Sequence, residues 1–247
     1  MQSSFLDFID KTDKAASVEQ LTSIFLNEVA NLGYDRMAFC LLSDHNHIGL
    51  TAGIDFINNY PEDWLKFYGD NDFDKIDPVI AYCRQRLGTF TWEEMVQKMD
   101  MTRKQKTCLT LGTEAKLYNG VFTPVWGPHR LAGVALATSE KDDACDQSSR
   151  AMHLINAYGN HFYLEFQRLH SQVKLNNENL ENVFLTPKEH DVLTWVARGK
   201  STSVVSDLLK ISEATVNFHI KNIFRKLNSN DRIVACSKAI TLGLIHP

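Results

Sequence analysis

The chain has 247 residues, 44% of them hydrophobic, and a formal net charge of −4, enough to bury one large core or two ordinary ones and too apolar for wholesale disorder. No apolar run approaches the roughly 20 residues that cross a bilayer, and the opening MQSSFLDFIDKTDK is acidic and amphipathic, so neither a membrane span nor a secretory leader is expected and the compartment is the cytoplasm. Cys40, Cys83, Cys108, Cys145 and Cys236 are scattered, odd in number and outside any CxxC or Cys/His cluster, which points to reduced thiols and excludes a disulfide framework and a zinc site.

Taken in chain order, Ala15 to Asn31 places Val18, Leu21, Phe25 and Val29 on one helical face, ended by Gly33. Met37 to Leu42 and His47 to Ile54 read as short strands. Asn59-Tyr60-Pro61 opens a short helix through Tyr68, and Asp77-Pro78 opens another through Arg86, because Asp caps well and Pro suits the first turn. Helical pattern resumes from Thr102 to Leu117. Gly120 to Trp126 and Ala132 to Thr138 form a hairpin across Gly127-Pro128-His129-Arg130. A long helix follows from Ala144 to Val173, carrying Leu154, Tyr158, Phe162, Phe166 and Leu169. This order predicts an α+β chain whose N-terminal domain, residues 1–173, is an α/β/α sandwich with an antiparallel sheet. The polar, Asn/Glu-rich KLNNENLENV, residues 174–183, is the expected linker.

From Phe184 onward nine Lys/Arg stand against five Asp/Glu, so a basic tail follows an acidic body and only the tail suits a polyanion. Thr186-Pro187-Lys188-Glu189 is a capping box that starts a helix with Val192, Leu193 and Val196 inside, and Gly199 is placed to end it. Ser201 or Thr202 caps a short second helix whose apolar residues are Val204, Val205, Leu208 and Leu209. After Lys210-Ile211-Ser212, a third helix buries Val216, Ile220, Ile223 and Leu227. Its opposite face carries Glu213, Ala214, Asn217, Phe218, Lys221 and Arg225, and Ser229 to Leu244 is a fourth helix. An all-α, four-helix domain over residues 184–247 results. A helix-turn-helix and a protein-binding bundle with a solvated outer face both satisfy this periodicity.

The stretch LTPKEHDVLTWVARGKSTSVVSDLLKISEATVNFHIKNIFRKLN resembles the DNA-binding domain of LuxR-type regulators, through Leu185-Thr186, Glu189, Leu193, Gly199-Lys200, Ile211-Ser212, Thr215-Val216, His219 and Lys226-Leu227. The resemblance implies a helix-turn-helix in which Lys200, Thr215 and His219 lie near phosphates and Asn217 and Lys221 face the major groove, with Arg225 on the same face. It also implies that the fourth helix, with Ile233, Cys236, Ile240 and Leu242, pairs across a homodimer. One departure is Val204-Val205-Ser206, where the family has Glu-Ile-Ala; altered stability is the expected result.

Upstream, Asn59-Tyr60-Pro61-Glu62-Asp63-Trp64-Leu65-Lys66-Phe67-Tyr68, then Ile76-Asp77-Pro78-Val79, Trp92 and Gly120, resemble in type and spacing the acyl-homoserine-lactone receptors of the same family. On chemistry alone, Asp77 is an ordinary helix cap and Trp64, Tyr68 and Trp92 are core aromatics. The resemblance gives them a second role. An acylated lactone needs a few fixed polar groups in an apolar pocket: Trp64 would donate to the ring carbonyl, Asp77 accept from the amide N–H and Tyr60 donate to the acyl carbonyl. Tyr68 shares a helix face with Trp64, Val79 follows the Asp-Pro turn, Trp92 and Leu117 would wall the pocket, and Gly120 would keep the approach clear. A buried Asp without a partner is costly, which would couple the ligand to folding.

Such receptors commonly place a Ser or Thr three residues after a Gly in the second hairpin strand. Here Gly133 is followed by Val134, Ala135 and Leu136, and Thr138 falls further along the pleat, which leaves open a lactone held with fewer polar contacts, a different small molecule, or action without ligand. An enzyme is not expected: there is no G-x-S-x-G elbow, H-E-x-x-H pair or phosphate loop, and His45, His47, His129, His153, His161 and His170 are dispersed. The implied partners are a small-molecule autoinducer, double-stranded promoter DNA, a second copy of the chain and RNA polymerase, with no resident cofactor, metal or membrane.

Overall fold

The computed structural model describes residues 5–45, 48–127, 130–142, 144–175 and 183–247. By internal contacts the chain separates into two compact units, 1–126 with 131–178 and 127–130 with 179–247. The first begins with α1 (Phe5–Thr12) and α2 (Val18–Ala30), then β1 (Arg36–Leu41) and β2 (Gly53–Asn58), α3 (Glu62–Asp70), a 3₁₀ turn (Phe73–Lys75) and α4 (Pro78–Cys83). It continues with β3 (Phe90–Thr91), α5 (Trp92–Lys98), α6 (Arg103–Glu114), β4 (Tyr118–Gly127), β5 (Arg130–Thr138) and α7 (Ser149–Leu175).

The five strands form one sheet in the order β2-β1-β5-β4-β3, with antiparallel pairing of β1 to β2 and β5 and of β3 to β4. Its two faces are set by the two-residue period of a strand. Met37, Phe39 and Leu41 of β1 and Ala132, Val134 and Leu136 of β5 join Leu21, Phe25 and Val29 of α2 and Ile155, Tyr158, Phe162 and Phe166 of α7 in one core. The alternate residues, Cys40 on β1 and Leu131 on β5 with Phe122 of β4, meet Val79, Tyr82, Phe90 and Met95 on the other side. Helices on both faces of an antiparallel sheet are the expected sandwich.

Several boundaries differ from the sequence reading. The second strand lies at Gly53–Asn58, because the chain first makes a tight loop, with His45 bridged to Leu50 and Gly49 at φ +70°; His47, Pro128 and His129 fall outside the described residues. The helix after Asp77 stops at Cys83 and the long helix starts at Ser149, with Ile155 rather than Leu154 fully buried in its stripe. The short elements α1, β3 and α5 were not anticipated. Of the expected linker, Lys174 and Leu175 end α7, residues 176–182 fall outside the described residues, and Val183 packs against the second core.

The second unit has α8 (Pro187–Ala197), α9 (Thr202–Leu209), α10 (Glu213–Lys226) and α11 (Arg232–Thr241). Each starts on a side-chain cap, Thr186, Ser201, Ser212 and Asp231, which satisfies backbone N–H groups that the helix leaves open. Glu189 completes the capping box, its carboxylate accepting from the Thr186 N–H at 2.7 Å. Gly199 at φ +76° turns the chain out of α8, a left-handed conformation that costs glycine nothing. Val192, Leu193, Val205, Val216, Ile220, Ile223 and Leu227 make the core. In α9, however, Val204 and Leu208 are exposed, because Val205 and Ser206 are the residues that face α8 and α10.

Candidate ligand pocket and DNA-reading face

The pocket is built on α3 and the Asp77-Pro78 turn. Pro61 and two acidic residues start α3, which sets Trp64 and Tyr68 one turn apart with rings edge-on at 5.7 Å. Phe73 closes over both rings. Asp77 caps α4: Oδ1 accepts from the Val79 N–H and Oδ2 from the Tyr68 hydroxyl, each at 2.7 Å. Burial pushes the Asp77 carboxyl above the usual carboxylate range, although the bonds from Tyr68 and Val79 oppose the shift.

A cavity of about 100 Å³ lies between these groups, α6 and the sheet. Tyr60, Trp64, Tyr68, Asp77, Val79, Trp92 and Leu117 all line it. Gly120 is not on the wall. It seats Trp92, since a Cβ there would lie 2.0 Å from the indole ring, and Gly133 does the same for Phe122 at 2.1 Å. Two donors at the cavity, the Tyr60 hydroxyl and the Trp92 indole Nε1, are buried with no hydrogen-bond partner among the described residues. Burial leaves the Tyr60 phenol well above its ordinary range, so it stays a donor.

The sequence reading missed the rest of the wall: Ala38 and Cys40 on β1, Cys108, Leu109 and Gly112 on α6, Leu65, Ile80, Phe122 and Ala135. Alternation along β1 identifies one face, but only the fold shows that α6 packs over that face. Strand β5 offers the cavity Ala135 and no hydroxyl. Leu136 points into the opposite core. The Thr138 hydroxyl is committed elsewhere, donating to the Glu140 carbonyl and accepting from Asn119 Nδ2.

On the second unit, α9, the turn through Lys210 at φ +53° and α10 form a helix-turn-helix. Asn217, Phe218, Lys221 and Arg225 are exposed along α10, His219 is half-buried, and Thr215 shares a 2.8 Å hydrogen bond with the capping Ser212. Lys200 is exposed ahead of α9. Not all of the tail's basic residues face outward. Lys226 reaches Glu189 and the Phe184 carbonyl, and Lys238 caps the end of α10 through the Leu227 and Asn228 carbonyls. Arg232 bonds Thr202 and Arg198 lies over Trp195.

All five cysteines are free thiols, three of them buried. Among the described residues no helix is long and apolar enough to cross a membrane. Asp13, His161 and Glu165 bring three potential metal donors together, but Glu165 is held by Arg168 and His161 by Thr12.

Residues 17–166 match the family described as "Autoinducer binding domain", and residues 183–239 match "Bacterial regulatory proteins, luxR family". The chain is 29% identical over 244 residues to the putative HTH-type transcriptional regulator y4qH of Sinorhizobium fredii, covering 96% of this chain and 72% of that protein. It is 28% identical to the HTH-type quorum sensing-dependent transcriptional regulator RpaR of Rhodopseudomonas palustris, covering 98% of this chain and 94% of that one. Its fold is similar to that of Escherichia coli SdiA, with a TM-score of 0.70 at 21% identity over 99% of this chain and 100% of that chain; SdiA has also been solved in complex with octanoyl-rac-glycerol. The two relatives aligned by sequence are transcriptional regulators and not enzymes. The chain belongs to the LuxR family of quorum-sensing transcription regulators, joining an autoinducer-binding domain to a helix-turn-helix DNA-binding domain.

Proposed function

We propose that this regulator binds an acyl-homoserine lactone in the cavity under α3, α4 and α6 and, as a cytoplasmic homodimer, places paired α10 helices in adjacent major grooves of promoter DNA, where it meets RNA polymerase. The observation that carries the ligand reading is the pair of orphaned donors, Tyr60 hydroxyl and Trp92 Nε1, beside the Asp77 carboxylate in a largely apolar wall. A buried donor without an acceptor costs about 1–3 kcal/mol, and a ligand carbonyl removes that cost. Trp64 donates to the ring carbonyl, Tyr60 to the acyl carbonyl, and Asp77, which keeps one acceptor site beyond the bonds from Tyr68, Val79 and Ile80, accepts the amide N–H. Trp92 adds a fourth polar contact, while Tyr68 holds Asp77 and Val79 and Leu117 pack on the ligand.

For DNA, Lys200, Thr215 and His219 serve as phosphate contacts and Asn217, Lys221 and Arg225 as groove-facing groups. The 82% exposure of Ile233 on α11 supports that helix as the pairing surface between copies. Residues 1–173 and 184–247 then act as sensor and reader, joined by 174–183, with the ligand shifting the population toward the folded, DNA-competent dimer.

A second reading is a non-lactone acyl compound, and it is favoured by the absence of any β5 hydroxyl at the cavity. Native mass spectrometry of the protein purified from its host, followed by release and identification of the bound mass, separates the two. An acyl-homoserine lactone confirms the first and an acyl compound without the lactone ring the second. Equal soluble yield and equal DNA affinity with and without ligand overturn both.

A further inference from the structure

Phe218 is 61% exposed in the middle of α10. The buried residues of that helix are Val216, Ile220 and Ile223, with Leu227 at its end. At 3.6 residues per turn Phe218 falls on the side opposite to them. Ala214, Lys221 and Arg225, at i−4, i+3 and i+7, share its ridge, whereas Thr215, Asn217 and His219 lie on the flanks. A helix seated in a major groove puts such a ridge deepest and turns its flanks toward the groove walls, Asn217 on one side and Thr215 and His219 on the other.

Burial in the four-helix core does not explain the ring, since its only ring contact among the described residues is an edge contact with neighbouring His219 at 5.6 Å. Lys221 and Arg225 on the same ridge draw that surface toward a polyanion, which dehydrates the ring along with the groove. A phenyl group can neither donate nor accept a hydrogen bond, so it cannot read the polar edges of bases. The apolar group that the major groove offers it is the thymine C5-methyl.

Resting on the DNA-binding role of α10, we propose that Phe218 is a sequence-reading residue that contacts the 5-methyl group of a thymine in each operator half-site. It supplies a preference for a methyl group that the hydrogen-bonding side chains Asn217, Lys221 and Arg225 do not.

The test begins with selection of binding sites by the full-length protein from a randomised duplex library. Each thymine of the selected site is then replaced singly by deoxyuridine, which removes only the methyl. One thymine per half-site should lose about 4-fold in affinity on replacement, the worth of one buried methyl group. The F218A protein, with an unchanged unfolding midpoint, should bind the thymine and deoxyuridine duplexes equally at that position while keeping its salt dependence. Insensitivity of the wild type at every thymine, or undiminished discrimination by F218A, overturns the assignment and leaves DNA binding intact. A library that yields no enriched sequence overturns the DNA-binding role and the assignment with it.

Discussion

Asp77 in the sensing unit and Glu189 in the DNA-binding unit both accept a backbone N–H at a helix start at 2.7 Å, yet their surroundings treat the charge in opposite ways. Glu189 also takes the Lys226 ammonium at 2.7 Å. Burial pushes its carboxyl up, but Lys226 and Thr186 together outweigh that and hold it below the usual range. Asp77 has only neutral partners in Tyr68 and the Val79 and Ile80 N–H groups, burial dominates, and its carboxyl stands above the usual range. The Glu189 charge is balanced within the reader itself. The sensor keeps a carboxylate and two orphaned donors around a cavity, an arrangement that a ligand completes, and a ligand at 100 times its Kd adds about 2.7 kcal/mol of stability.

The largest expected break in this comparison is K226A. It leaves Glu189, 4% exposed, without its cation, at a cost of about 3 kcal/mol, the low end for a buried pair because Lys226 is itself 31% exposed. Thermal unfolding of the full chain should show the transition of α8 to α11 moved down while that of the sensing unit stays in place. Next comes G120A, whose methyl would meet the Trp92 ring. Overpacking there should cost about 2 kcal/mol in the sensing unit alone, shift tryptophan fluorescence and abolish the ligand response. Unaltered ligand response would show that the Trp92 seat does not matter to the pocket.

The pH dependence sharpens the contrast with a smaller effect. Because Asp77 is raised in the fold, its native state holds the proton more tightly than the unfolded chain, so its contribution is present at low pH and lost as pH rises through its folded value. Glu189 is lowered, so its contribution is present at neutral pH and lost as pH falls through its folded value. On acidification from neutral toward pH 4, the stability of the wild type relative to D77N should therefore rise, and that relative to E189Q should fall. Denaturant titrations across that range check both signs. The smallest effect is expected for S206A. Ser206 is buried, but its hydroxyl is satisfied by the Ser203 carbonyl at 2.7 Å, so its removal should change stability by no more than about 0.5 kcal/mol. That outcome would mean that the departure at Val204-Val205-Ser206 is absorbed locally, with Val204 turned outward, against the altered stability that the family resemblance implies.

The pocket was legible in the sequence only along its polar edge. Tyr60, Trp64, Tyr68 and Asp77 fall within 18 residues of one another on elements whose starts are written in local signals, a Pro at one helix start and an Asp-Pro pair at the next. The opposing wall comes from β1, α6 and β5, and nothing in the spacing of Ala38, Cys108 and Ala135 announces that they meet. The DNA-binding unit was more legible because its helices are short, capped and consecutive. Even there the basic-residue count overstated the charge offered to DNA, since Lys226 and Lys238 serve the fold.

What the sequence by itself determined are the features made by hydrogen bonds over two to four residues: the caps at Asp77 and Thr186, a cap at Ser201 or Thr202, which the structure assigns to Ser201, and the turn at Gly199. Only the tertiary structure decided which apolar residues of α9 turn inward, that Glu189 finds its cation 37 residues away in Lys226, that Gly120 is a seat for Trp92 and not a pocket wall, and that the Trp92 and Tyr60 donors end without acceptors. Those outcomes depend on packing between distant segments, where the volume and approach of a neighbour, and no local period, set which group is covered and which is left facing the cavity.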